Sequence, residues 1–272
     1  RPHPPFDAPQ CYFDMYENKE LTPPVVGDWC DDALLKKKGR IFDSDTGPID
    51  PELIRQMQVG YYACVTHLDH QIGRLLQALI ENKLYDDTLI LFVSDHGELL
   101  GDHHLFRKSR AYQGSSRIPF IVSGGAFRPD EPGSVRTDVV ELRDVMPTLL
   151  EAAGAPIPDS VEGVSVLKRA LGETEEKPRA WLHGEHTLGE ASSHWIVTET
   201  DKYIWYSQTG KEQYFRIDED PNELHDRIGR PEDAGRIKEL RDILIRELSG
   251  REEGFVKDGG LATGCELKVL LD

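Results

Sequence analysis

The sequence predicts an α/β fold over residues 1–154, followed by a smaller α+β unit over 155–272. Three observations predict it. A helical pattern over 51–81 is followed by a continuous apolar run at Thr88–Val93, a second at Ile118–Val122, and another helical pattern at Val139–Ala153. Helices alternating with short apolar strands are the mark of α/β packing. Both runs stop abruptly at polar loops, as strands buried on both faces of a parallel sheet do. From Ala155 the pattern changes to short strand-like runs at 180–183, 195–198, 203–207 and 213–217 and one amphipathic helix, which describes an antiparallel meander with a helix over one face.

Residues 1–50 are rich in Pro, Asp and Gly with little periodicity and read as a long irregular connection. Within it His3 is flanked by Pro2, Pro4 and Pro5. Prolines remove conformational freedom, so the imidazole is held in a fixed direction; an exposed histidine in a proline-rich linker is the alternative. Asp50-Pro51-Glu52 is a helix start, with Asp as N-cap and Pro in the first turn. Ile54, Met57, Tyr61, Cys64, Leu68, Ile72, Leu75 and Leu79 then recur in steps of three and four, an amphipathic helix of about eight turns packed on the sheet. His67, Asp69 and His70 ride on it as surface or supporting groups. Gly154 caps the 139–153 helix. Pro156, Pro158 and Gly163 mark the boundary between the two units, Gly172–Pro178 a charged linker. A helix from Pro231 to about Leu248 carries Ile237, Leu240, Ile243, Leu244 and Leu248 on one face.

The chain is organised around Thr88–Lys108, TLILFVSDHGELLGDHHLFRK. Asp95 and His96 stand side by side where the first strand ends, the edge at which open α/β sheets place ligands. Gly97 is expected to let the backbone turn sharply so that the two side chains converge. Asp102, His103, His104, Arg107 and Lys108 follow within one loop, and Arg117 brings a further cation before the second strand.

Acidic residues outnumber basic ones, 49 to 32, for a formal charge of −17. That argues against a nucleic-acid backbone or an anionic membrane as partner, and an anionic substrate would need a locally positive site. No apolar run has the length of a membrane span. Cys11, Cys30, Cys64 and Cys265 show no CxxC or zinc spacing; Cys64 falls on the helical stripe, and Cys11 with Cys30 is the one pair considered for a disulfide. Free thiols in a reducing, cytoplasmic compartment are favoured, with periplasmic or secreted placement open. The opening Arg1-Pro2-His3-Pro4-Pro5-Phe6 reads as mid-domain sequence, so an upstream part carrying any leader is expected.

RPHPPF, YYACVTHLDHQIGRLL, SDHGELLGDHHLFRK and SSRIPFIVSGG, with WLHGEH, DKYIWYSQTG and EQYFRIDEDPNELHD further on, together resemble the sulfatase branch of the alkaline-phosphatase-like superfamily, close to the phosphonate monoester hydrolases. The resemblance implies the C-terminal part of the sulfatase fold. It implies that Asp95 and His96 bind a divalent cation, calcium by family expectation, with manganese or zinc made plausible by the imidazole. It implies that Lys108 contacts the sulfate and that His3 acts as general acid near the ester oxygen. His103 and His104 become candidates for substrate contact, as do His183 and Glu185, with His186 beside them, in a subdomain that overhangs the pocket in this family. A sulfate ester needs its non-bridging oxygens held by cations and its leaving oxygen protonated, which these residue types supply. One departure is large: no Cys-x-Pro-x-Arg or Ser-x-Pro-x-Arg, the site of the formylglycine nucleophile, occurs in the sequence. The expected partners are a small-molecule or glycan sulfate ester and a separate N-terminal part of the same catalytic domain, without which the chain is expected to be inactive. A phosphonate monoester or phosphodiester hydrolase, and a non-catalytic anion-binding relative, are the alternatives.

Overall fold

The structure is a computed structural model that describes residues 2–30, 47–174 and 177–268. The irregular connection predicted for 1–50 is therefore described over 2–30 and 47–50, where it carries only the short helix α1 (Gln10–Asp14); residues 31–46, 175–176 of the predicted linker and 269–272 lie outside the described residues. Helix α2 (Pro51–Glu81) begins as predicted, with the Asp50 carboxylate accepting the Glu52 and Leu53 N–H groups at 2.9 and 3.3 Å. Its N-terminal half packs on the segment around α1. Tyr16 stacks on Tyr62 with ring centroids 5.6 Å apart, and Phe6 meets Tyr61 edge-on. Tyr12 packs on His67 and hydrogen-bonds His70, which accounts for both histidines as packing groups. The expectation that the whole stripe lies on the sheet is corrected: Leu75, in the C-terminal half, is exposed among the described residues.

Strands β1 (Ile90–Val93) and β2 (Phe120–Ser123) pair antiparallel, Ile90 opposite Ser123 and Val93 opposite Phe120. This corrects the expectation of parallel strands buried on both faces. Among the described residues these strands form a two-stranded sheet, so their faces are only half covered and Ile121 is exposed. The predicted 139–153 helix is shorter: a turn of 3₁₀ helix at Leu142–Asp144, closed by a reciprocal Glu141–Asp144 capping box, leads into α4 (Val145–Ala152). The short helices α3 (Gln113–Ser116) and α5 (Leu167–Leu171) flank these elements.

The meander forms as predicted in order. Strands β3 (Leu182–His186), β4 (Ser193–Val197), β5 (Asp201–Tyr206) and β6 (Glu212–Arg216) pair consecutively and antiparallel; a small hairpin, β7 (Val256–Lys257) and β8 (Gly260–Leu261), follows helix α6 (Ala234–Leu248). Alternation along each strand divides the sheet between two cores. Ile196, Tyr203, Trp205 and Tyr214 face α6, where they bury Ile237, Leu240, Leu244 and Leu248. Ile204 and Phe215 face the other way, onto Leu99, Leu105, Ala111 and Tyr112 of the central loop. The second face of the meander is thus the floor on which that loop rests.

A buried ion pair fixes loop to floor. Lys202 Nζ lies 2.7 Å from Glu223 Oε1, both side chains 1% exposed, and donates to the Ala111 carbonyl at 2.7 Å and to Gln113 Oε1 at 3.0 Å. Glu223 Oε2 accepts the Gln113 N–H at 2.6 Å. The 111–116 segment in turn holds Gly97, whose N–H donates to the Ser115 carbonyl at 2.8 Å. The reason for glycine at 97 differs from the expected backbone freedom. Its φ is not in the left-handed region, but a Cβ there would run into the Gly114 carbonyl oxygen. Close approach of two backbones is what demands glycine.

His103 also departs from expectation. Instead of facing a pocket it lies in the interior at 3% exposure, against the rings of Trp29 and Tyr112 at 4.8 and 5.3 Å, which also stack on each other. Its Nδ1 accepts the Gly27 N–H at 3.1 Å. Burial pushes its pKa down to about 4, with Asp220 pulling the other way.

Replacing Lys202 with Met should destabilise the protein by about 3–5 kcal/mol, because Glu223 is left buried and unpaired; urea denaturation should show Lys202→Met/Glu223→Gln recovering part of that loss. Gly97→Ala should lower Tm and loosen the 111–116 segment, read as faster amide exchange at Ser115 and Ser116. His103 is neutral in the folded chain to about pH 4 but protonates near ~6.5 when unfolded. Its contribution is fully present above pH ~6.5 and is lost as pH falls towards 4, so the acid limb of a Tm-against-pH curve should be shallower in His103→Gln.

Candidate functional site

The loop leaving β1 fixes two donors by local hydrogen bonding. Ser94 Oγ donates to the His96 carbonyl at 2.6 Å, and Asp95 Oδ1 accepts the His96 N–H at 3.0 Å. His96 Nδ1 lies 2.8 Å from the Gly97 carbonyl oxygen. A carbonyl can only accept, so Nδ1 carries the proton and Nε2 keeps its lone pair. That lone pair sits 3.7 Å from Asp95 Oδ2, whose side chain is 84% exposed. A carboxylate oxygen beside an imidazole nitrogen oriented by a backbone carbonyl is the arrangement of metal-binding histidines. The pair therefore fits a divalent cation, as part of its shell: two donors fall short of the four zinc takes and the six to eight of calcium.

His3 arrives from the other end of the described chain. Its Nδ1 lies 2.7 Å from the Pro4 carbonyl oxygen, which sets the same tautomer, and its Nε2 accepts from Lys108 Nζ at 2.9 Å. The His3 and His96 rings meet edge-on, centroids 6.0 Å apart. The structure thus brings His3, Asp95, His96 and Lys108 into one cluster.

The loop that delivers Lys108 is tightly wound. Leu100, His103, His104, Arg107 and Ser109 all have φ between 46° and 78°, a conformation costing about 1–2 kcal/mol per residue for L side chains. It is held by Leu99 N–H to the Arg107 carbonyl at 2.7 Å and by the Glu98 carboxylate, which accepts the N–H groups of Leu100 and Arg107. Burial pushes the Glu98 pKa up while those two N–H groups pull it down. His104 is half-buried, its pKa lowered by desolvation, and lines a cavity of about 380 Å³ with Leu21, Pro24, Ile54 and Arg55.

His183 and Glu185 are placed differently from the loop residues. The pleat of β3 turns both to the α6 face of the meander, opposite the face that carries the central loop. There they meet His194, a residue the sequence reading missed: His194 Nδ1 is 3.3 Å from His183 Nε2 and 3.2 Å from Glu185 Oε2. Desolvation first, and His194 next, hold the His183 pKa down at about 4. The His194 hydrogen bond and Arg251 hold Glu185 at about 2. The β3–β4 register, Glu185 opposite His194, is what unites the three, and no spacing in the sequence encodes it. His186 falls on the loop side of the sheet, its pKa lowered by burial and by Arg110. The four cysteines are thiols, Cys64 buried on α2 as expected.

The profile of the sulfatase family matches residues 1–155, and that described as N-sulphoglucosamine sulphohydrolase, C-terminal, matches residues 101–249. An arylsulfatase of Clostridium perfringens (strain 13 / Type A) is 45% identical over 271 residues, covering 99% of this chain and 56% of its own length. The phosphonate monoester hydrolase from Silicibacter pomeroyi superposes with a TM-score of 0.77 at 25% identity, over 91% of this chain and 54% of that one. A further solved structure, in complex with its substrate D-glucosamine-2-N,6-O-disulfate, gives 0.66 at 27% identity over 72% and 41% of the two chains. The chain spans about half the length of the curated relatives it matches. The fold is the α/β fold of these alkaline-phosphatase-like hydrolases, and the chain belongs to the sulfatase family.

Proposed function

We propose that these residues form the C-terminal part of a sulfatase active site that hydrolyses sulfate monoesters of aryl or carbohydrate compounds. The observation that carries this reading is the contact of Lys108 Nζ with His3 Nε2 beside Asp95 and His96. The Lys108 ammonium offers fixed positive charge to the non-bridging sulfate oxygens, so a locally positive site arises in a protein of charge −17. His3 Nε2, already facing that ammonium, is the atom at which a proton for the leaving oxygen would be held. Asp95 and His96 would hold a divalent cation, calcium by family expectation, which when bound supplies Lewis-acid stabilisation of the same oxygens. The nucleophile and the remaining metal ligands are assigned to a part of the catalytic domain outside this chain, since no Cys-x-Pro-x-Arg or Ser-x-Pro-x-Arg occurs in it. A second reading, phosphonate monoester or phosphodiester hydrolysis, is favoured by the Silicibacter likeness; the ratio of kcat/KM for aryl sulfate and phosphodiester substrates separates the two.

The chain alone should show no turnover of an aryl sulfate, and a protein joining it to a segment with the nucleophile motif should be active. In that active protein Lys108→Ala should lower kcat by about 10²–10³-fold. His3→Ala should lower it by about 10²–10⁴-fold, most for esters with poor leaving groups. Metal-dependent hydrolysis by the chain alone would overturn the assignment of the nucleophile, and full activity of Lys108→Ala would overturn the assigned site.

A further inference from the structure

We propose that His183, Glu185 and His194 form a divalent-metal site of the zinc class, built from residues other than the Asp95–His96 pair and clasping β3 to β4. The geometry argues for it first. Around a tetrahedral ion at 2.0–2.1 Å, neighbouring ligand atoms stand about 3.3 Å apart. His194 Nδ1 stands 3.3 Å from His183 Nε2 and 3.2 Å from Glu185 Oε2, and all three ligand atoms lie within 4.8 Å of one another, the only such three-residue group of His, Cys, Asp or Glu among the described residues. Two of the three donor separations therefore match the spacing between vertices of a coordination tetrahedron.

The architecture argues for it second. His183 and Glu185 are two apart on β3 and share a face, and Glu185 is the cross-strand partner of His194, so three donors converge from a rigid antiparallel pair and not from mobile loops. Gly184 between them lets the Trp195 ring cross the opposite side of the strand, where a Cβ would collide with it; this presses β3 flat against β4. The His194 ring is itself immobilised, stacked on Trp205 and edge-on to Phe255 at 4.7 Å. Arg251 Nη1 donates to the same Glu185 Oε2 at 2.6 Å and so fixes the direction of the carboxylate, as hydrogen-bond partners of ligating carboxylates do.

Third, access fits. The His194 side chain is 6% exposed and that of Glu185 44%, so the site opens to solvent on the carboxylate side while His194 is turned to the interior. Two imidazoles and one carboxylate, with a fourth position open to water, suit zinc and its neighbours better than calcium.

The test is titration calorimetry of the chain with Zn²⁺ alone at pH 7, paired with Tm measured in excess Zn²⁺. One tight site and a rise in Tm of several degrees are expected. Both should survive in Asp95→Asn/His96→Gln and be weakened at least 100-fold in His194→Gln. Because His194 is buried and packs in the core, Glu185→Gln on the open side is the second variant, with the same loss expected. No tight binding by the chain, or binding that persists in Glu185→Gln, would overturn the proposal.

Discussion

The Lys202–Glu223 ion pair is the constraint on which the rest of this structure depends. Neither group has water to fall back on, and a buried charge without a partner is far costlier than one with it. The pair stands between the meander and the central loop, and its remaining hydrogen-bonding capacity is spent on the loop backbone at Ala111 and Gln113. From there the chain of contacts runs through Ser115 to Gly97, next to His96. The placement of the candidate ligands is therefore set by a sheet to which they do not belong.

The two cores of the meander do different work. The α6 face is an apolar layer of Ile, Leu and aromatic side chains, interrupted at its β3 edge by His183, Glu185 and His194. The opposite face carries Lys202, Gln213 and Ile204 up against Tyr112, whose hydroxyl donates to Gln213 Oε1 at 2.7 Å, along with Leu99 and Leu105. A loop with so many left-handed residues would not hold its shape unaided. The polar and apolar contacts beneath it supply what the loop lacks, and His103, buried against Trp29 and Tyr112, is one of the pins.

Much of this was legible in the sequence, for identifiable reasons. Asp50 and Pro51 announce the start of α2 because capping is a local interaction, and the meander strands announce themselves through runs of β-branched and aromatic residues between turns. His3, Asp95, His96 and Lys108 were readable because the surrounding motifs resemble a known family, and the structure gathers these four. What was not legible rests on long-range placement. The pairing of β1 with β2, the Gly97–Gly114 approach, the interior position of His103 and the meeting of His183 and Glu185 with His194 all depend on which segments lie across from each other. A polar residue's neighbours also decide whether it is a surface group or a pin: Asp201-Lys202 reads in sequence as a turn between strand-like runs, whereas both residues lie buried in β5.

The reach of the contacts that build the site has a consequence for how the molecule assembles. Each strand of the meander pairs with its neighbour in sequence, so its loops close cheaply and early. The contacts that define the site join residues 91 apart at Lys202 and Ala111, 105 apart at Lys108 and His3, and 110 apart at Gln113 and Glu223. Contacts of such separation form slowly because chain entropy must be given up before they add stability. By that measure the sheet is expected to form first and to serve as the template on which the strained loop is set last.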